Sequence, residues 1–307
     1  MSGTRLVDRG RLGVIVAVGS AFALALNDIA VPFTYAAGFN PPTVVLLRYL
    51  FLIAALLMLL PAMGKPYRLA GGQGKQALGS GVCAAFGTLG LLGAFAFIPV
   101  SLTVVILYIF PFLIALADCA YHRRYPGAVD IVCPLVALAG IALAIGEEAG
   151  SLDPRGLALA VLAAVGYAAS IFWNGVKLRH ACGVTVTLYI AISGACIISL
   201  FLLLTGSLAL AAPEIGPWLS LIFAASSFTV AFVAMFKAIE MAGGPTTAMV
   251  LNLEPIFVVL LASLFLDETL TWNRVSGSLL VVAAVIVSEY WRSRRPRVLA
   301  DAAKGAA

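Results

Sequence analysis

Glu254 stands immediately before Pro255 in the middle of a long apolar stretch, where a carboxyl group is costly and a proline cannot supply a backbone N–H. Counted at about 1.5 Å per helical residue, Glu254 lies nine residues, roughly 14 Å, into its apolar run, close to the midplane of a bilayer. A carboxyl taken out of water beside a loosened helix turn can bind and release a proton, which makes Glu254 the candidate coupling residue. Its alternative is a protonated acid bonded between helices with a purely structural role. Asp28 and Arg48 form a second candidate constellation. Asp28 is seven residues before the end of the first apolar run and Arg48 six after the start of the second, so adjacent antiparallel helices would hold both roughly 10 Å below the surface. The expectation is an ion pair, because pairing lowers the cost of charge in the membrane; a structural pair is the simpler role and a gate the other.

Further polar residues fall at middle depths. Asn27, Tyr108, Tyr167, Ser227, Asn252 and Glu254 are expected to line a substrate cavity. Thr88, Ser226 and Thr229 are weaker candidates, since a lone Ser or Thr more often bonds to its own helix. Trp173, Trp218, Trp272 and Trp291 read as interfacial anchors. Lys237 and Glu240, three apart, read as a local helix pair. Asp118, His122, Arg123 and Arg124 close one apolar run and read as its anchor.

These residues need long helices to hold them, and the composition demands such helices. Of 307 residues, 62% are hydrophobic and 11% charged, too few charges to cover a soluble protein of this size. Ten apolar runs have the length of a membrane-spanning helix: 13–35, 42–60, 76–98, 102–121, 128–145, 156–176, 184–204, 218–240, 245–265 and 272–291. The first shows no small-residue cleavage site after its basic start and is read as retained. Sixteen of the 19 Lys and Arg residues fall in segments that share one side when the N-terminus is placed inside, and two on the other; Arg48 lies within a span. That asymmetry predicts cytoplasmic termini in an inner (plasma) membrane. The net charge of +5 then reflects topology and the anionic leaflet, and nucleic acid is not expected as a partner.

The chain also reads as a repeat. Thr103-Val-Val-Ile-Leu-Tyr-Ile-Phe-Pro111 overlays Thr247-Ala-Met-Val-Leu-Asn-Leu-Glu-Pro255 at an offset of 144 residues, matching Thr, Leu and Pro. Five spans per copy is an odd number, so residues 1–144 and 145–307 are expected to be five-helix repeats crossing in opposite directions. The fold class is therefore an all-α integral membrane protein of ten helices in two inverted repeats, an arrangement typical of secondary transporters.

Soluble chemistry finds no footing. Cys83, Cys119, Cys133, Cys182 and Cys196 form no Cys-x-x-Cys pair and read as small core residues. His122 and His180 lack companion ligands, so no metal is expected, and no cofactor either. The absence of a Gly-x-x-x-x-Gly-Lys-Ser/Thr loop argues against a built-in ATP motor. The run Gly87-Thr-Leu-Gly90-Leu-Leu-Gly93 suits close helix packing rather than a phosphate loop.

Leu253-Glu254-Pro255 followed by Leu266-Asp267-Glu268-Thr269-Leu270-Thr271, with Leu47-Arg48 and Phe97-Ile98-Pro99 in the first half, resembles the signatures of the drug/metabolite transporter superfamily in its EamA-type, ten-span branch. The resemblance covers almost the whole length. The first copy departs from it, with Phe110 at the position of Glu254 and Arg124-Tyr-Pro126 at that of Glu268-Thr-Leu270; Leu26-Asn27-Asp28 replaces a Trp-Gly-Ser-like segment. The resemblance implies a secondary transporter, not an enzyme, exporting a small metabolite, amino acid or drug-like solute. A channel or scaffold is the alternative. The partners expected are a small-molecule substrate and the lipid bilayer, with the oligomeric state open, a homodimer included.

Overall fold

The computed structural model describes residues 2–123, 125–146, 152–209 and 215–305, and among them every regular element is helical. The order is α1 Ser2–Ala36, α2 Pro41–Ala62, α3 Gln73–Ala94, α4 Val100–Leu107, α5 Phe110–Tyr121, α6 Ala128–Ile145, α7 Pro154–Lys177, α8 Gly183–Thr205, α9 Ile215–Ala242, α10 Gly244–Leu251, α11 Glu254–Phe265 and α12 Trp272–Gly305. Ten stretches are long and apolar enough to cross a membrane, from Gly10–Ala36 to Trp272–Trp291, in register with the ten expected runs. Arg124 lies outside the described residues, as do the side chains of Arg5, Arg9 and the basic residues after Trp291.

The helix ends follow local chemistry. Asn40 caps α2 by accepting from the Thr43 N–H at 3.1 Å, with Pro41 in the first turn where no N–H is needed. Asp153 caps α7 in the same way ahead of Pro154; hydrogen bonds from the Arg155 side chain and backbone hold its carboxyl below the usual range. Spans four and nine are each broken in two. α4 gives way to α5 at Tyr108 and Ile109, and α10 to α11 at Asn252 and Leu253, again 144 residues apart. Each break precedes a proline, Pro111 or Pro255, whose missing N–H leaves the preceding turn without a ladder bond.

Sequence neighbours are not the main packing partners. α1 lies along α9, α3 along α7, α2 along α8, α6 along α12, and α4 against α11. Every one of these pairings joins one of the first five spans to one of the last five. Exchanging the first five spans for the last five leaves the set unchanged. The buried core is continuous across both halves, including Leu52, Leu92, Val104, Phe112, Ile198 and Val258.

Glycine sets how closely these helices approach where it matters most. A Cβ on Gly166 of α7 would stand 2.5 Å from the Gly87 nitrogen of α3, and one on Gly90 would stand 2.7 Å from the Leu159 carbonyl oxygen. The close backbone contact brings the next residues, Thr88 and Tyr167, together.

On the face opposite the basic loops, Glu268 of the 266–271 segment reaches the start of α4. Its Oε1 accepts from the Val100 N–H at 2.8 Å and its other oxygen from the Ser101 hydroxyl, with the Arg274 Nη1 at 3.6 Å. A carboxylate at a helix N-terminus satisfies free N–H groups and favours the helix dipole. The acidic residue of that motif is therefore a cap joining the two halves.

Candidate functional site

A cavity of about 460 Å³ runs into the bundle between α1, α2, α3, α7, α8, α9 and α11. Its deep end carries Asn27, Asp28, Arg48, Tyr167 and Glu254; its wall extends along Phe228, Phe232 and Phe236 to Asn174, Leu178, Gly183 and Thr187. Those last residues flank the connection between spans six and seven, on the face that carries Lys65, Arg68, Lys177 and Arg179. Among the described residues, none of the connections on the opposite face lines it. There the 37–40 and 206–209 connections are joined instead: Asn40 Nδ2 donates to the Ser207 carbonyl at 2.5 Å, the Ala209 N–H to Thr43 Oγ1 at 3.2 Å, and Trp218 packs edge-on against Phe39 at 5.2 Å.

Glu254 begins α11 at the deep end. Pro255 cannot supply the N–H that helical pitch would direct at the Leu251 carbonyl, and the Tyr108 hydroxyl stands 3.1 Å from that oxygen. The same hydroxyl is 3.0 Å from Glu254 Oε2. Tyr108 sits at the break of span four, so the two broken spans meet through one phenol. Asp28 of α1 lines the same cavity: its Oδ1 accepts from Asn27 Nδ2 at 2.8 Å, and its carboxyl lies close enough to that of Glu254 for the two to act on each other.

The structure replaces the expected Asp28–Arg48 pair. The two line the same cavity and act on each other through space, yet no oxygen–nitrogen contact within 4.0 Å joins them among the described residues. Arg48 instead lies over the Phe228 ring, its guanidinium carbon 4.2 Å from the centroid. The physical reason is azimuth. Depth counting placed both residues correctly in height, but α1 lies along α9 rather than α2, which turns Asp28 toward Glu254.

Of the residues expected in the cavity, Asn27, Tyr167 and Glu254 line it, and Tyr108 stands behind Glu254. Ser227 and Asn252 are not among the lining residues; Asn252 Nδ2 donates to Glu289 Oε2 at 3.1 Å, a contact of span nine with span ten. Thr88 proves central, bonded to the Tyr49 hydroxyl at 2.9 Å and the Tyr167 hydroxyl at 3.0 Å. Tyr49 itself fits because Gly194 leaves room: a Cβ there would stand 2.6 Å from the Tyr49 ring. The three phenylalanines of α9 were missed by sequence reasoning, although their spacing of four residues puts them on one helix face. Phe228, Phe232 and Phe236 stack in series, with centroids 4.7 and 6.5 Å apart. Lys237 and Glu240 do pair, at 3.2 Å, with Lys65 adding a contact at 3.6 Å. His122 meets Asp118 at 3.1 Å at the end of α5. Trp218 packs against Phe39, while Trp272 and Trp291 are exposed.

Residues 154–290 match the EamA-like transporter family. Among solved structures the chain is similar to one titled only as a crystal structure of a protein, with a TM-score of 0.63 and 17% identity over 91% of this chain and 98% of that one, a likeness of fold. No match was found among curated proteins.

Proposed function

We propose that this chain, a membrane transporter of the drug/metabolite type whose residues 154–290 match the EamA-like transporter family, exports a small metabolite, amino acid or drug-like solute by proton-coupled alternating access. The observation that carries this reading is the cavity's form. It reaches from the basic face to a blind end at Glu254 and Asp28, while the opposite face is closed by Asn40, Thr43, Phe39 and Trp218. The excess of basic residues on the open side supports placing that side, and both termini, in the cytoplasm of a plasma-membrane protein. The pairing pattern of the spans and the shared 144-residue offset of the two breaks support inverted repeats over 1–144 and 145–307, rocking about the cavity.

Tyr108 gives the coupling a physical form. The hydroxyl has one proton and two acceptors within reach. When Glu254 is ionised, the hydroxyl donates to the carboxylate; when Glu254 is protonated, the acid donates to the Tyr108 oxygen and the hydroxyl turns to the Leu251 carbonyl. Proton binding therefore changes what holds the broken turn of span nine. Substrate and proton compete for the same deep site, so each turnover exchanges one for the other.

Proteoliposomes loaded with a metabolite mixture test this, with efflux followed by mass spectrometry under an imposed pH gradient. Saturable efflux of a subset of solutes that rises with the gradient is expected. Efflux that never saturates indicates a channel, and none under any gradient removes the transporter mechanism proposed.

A further inference from the structure

Four residues lining this cavity hold buried polar atoms with no hydrogen-bond partner among the described residues: Asn27 Oδ1, Asp28 Oδ2, Arg48 Nε and Nη1, and Asn174 Oδ1. Asn27, Asp28 and Arg48 are each at most 3% exposed. Buried polar groups are ordinarily satisfied, so a cluster of unsatisfied ones on residues that surround a single space points to a ligand.

Arg48 is the most demanding of them. A guanidinium is always charged and presents N–H donors along a flat edge. Its face is occupied by the Phe228 ring, but the surrounding hydroxyls are committed elsewhere: Tyr49 and Tyr167 to Thr88, and Tyr35 to the Leu92 carbonyl at 2.6 Å. Nε and Nη1 lack an acceptor, and the partner that suits a buried guanidinium best is a carboxylate. A few residues away the chemistry reverses. Asp28 Oδ2 has no donor among the described residues, and Asp28 and Glu254 line the same space and act on each other. An ammonium group suits that place. Between the two charged regions the wall is apolar, with Leu24, Leu52, Phe228 and Phe232.

We propose that the cavity binds a compact zwitterion, its carboxylate on the Arg48 guanidinium and its ammonium at Asp28 and Glu254. This rests on the transporter reading above and adds a charge balance to it. With Arg48 ionised and one of the two carboxyls protonated, the site is neutral. A zwitterion that displaces that proton leaves the site with one negative charge. Exchange of one proton for one zwitterion therefore moves one elementary charge per cycle, whereas an amine without a carboxylate would exchange electroneutrally.

The test uses the full-length wild-type protein in lipid nanodiscs and three probe mixtures: free amino acids, the same amino acids as methyl esters, and the same as N-acetyl derivatives. Thermal stabilisation by the free amino acids alone is expected, with Arg48→Lys and Arg48→Met each weakening it at least tenfold. Esters binding as tightly as free amino acids would show that Arg48 takes no anion. Equal binding of the N-acetyl derivatives would show that the carboxyls take no ammonium, and no binding by any mixture overturns the zwitterion. The current on a supported membrane then separates this proposal from proton coupling. Selective zwitterion binding with one charge moved per transported molecule supports both; the same binding with transport but no current leaves the subsites standing and overturns the proton exchange.

Discussion

The Tyr108 hydroxyl and the Glu254 carboxyl stand 3.0 Å apart, although 146 residues of chain separate them. They meet because both broken spans end their first segment at the same depth, and because Pro255 frees the Leu251 carbonyl that the same hydroxyl also reaches. Tyr108→Phe keeps the ring and removes the shared proton. It leaves Leu251 O without that donor and Glu254 without its phenol. A charge-assisted hydrogen bond contributes about 1.5–3 kcal/mol, so pH-driven flux is expected to fall by about tenfold or more with expression little changed. Flux equal to wild type in matched proteoliposomes would remove Tyr108 from the mechanism.

Glu254→Gln retains shape and hydrogen-bonding capacity but cannot exchange a proton. Gradient-driven transport should be abolished, while solute exchange in the absence of a pH gradient persists. A Glu254→Gln protein that still concentrates solute with wild-type pH dependence places the coupling elsewhere, with Asp28 the next candidate.

Asp28 and Glu254 line one cavity and act on each other, so their substitutions should not add. Asp28→Asn and Glu254→Gln are each expected to remove most coupled flux, and the double variant to be about as impaired as the worse single one. Independent, multiplicative losses would mean that the two carboxyls serve separate steps. Asp28 combined with an Arg48 substitution tests the discarded pair: without a contact within 4.0 Å, the two should show weaker stability coupling than Asp28 with Glu254.

Much of this site was legible from residue type and depth. Glu254 was found because an acid before a proline at the midplane has few structural excuses, and the break at 252–253 follows from the same proline. Tyr167 was legible from depth, and Asn27 from its place beside Asp28 in the Leu26-Asn27-Asp28 segment. Ser227 and Asn252 show the limit of that argument, since depth along a helix says nothing about which way a side chain faces. The Asp28–Arg48 expectation failed for the same reason: consecutive spans were taken as neighbours, whereas α1 lies along α9. Phe228, Phe232 and Phe236 were not singled out because an aromatic in an apolar run carries no signal until a partner such as Arg48 is placed over it.

The contact between Gly87 and Gly166 makes a stability prediction. A Cβ on Gly166 would press into the backbone of α3, which cannot move aside as a side chain can. Gly166→Ala is expected to cost about 1–3 kcal/mol, the usual range for overpacking, and to lower the thermal midpoint in detergent. It should also separate Tyr167 from Thr88 and weaken solute binding. Gly175→Ala on the same helix, where nothing lies within 4 Å, is the control and should be nearly neutral. Equal effects of the two would show that α3 and α7 do not approach as described.

The orientation of the cavity is open to direct measurement. Arg68 is exposed in the connection after α2 and Leu208 in the connection after α8, on opposite faces of the bundle. Position 150, another natural choice, lies outside the described residues. In a background lacking the five native cysteines, Leu208→Cys should react with a membrane-impermeant reagent added to intact cells, and Arg68→Cys only after the membrane is opened. Thr187→Cys, on the cavity wall, should behave like Arg68→Cys and be protected by bound solute, because the cavity opens to the basic side. The reverse pattern would turn the molecule over and make the closed face cytoplasmic. Labelling of both positions in intact cells would mean that the chain inserts in two orientations. Either result would remove the argument for export that rests on a cytoplasm-facing cavity.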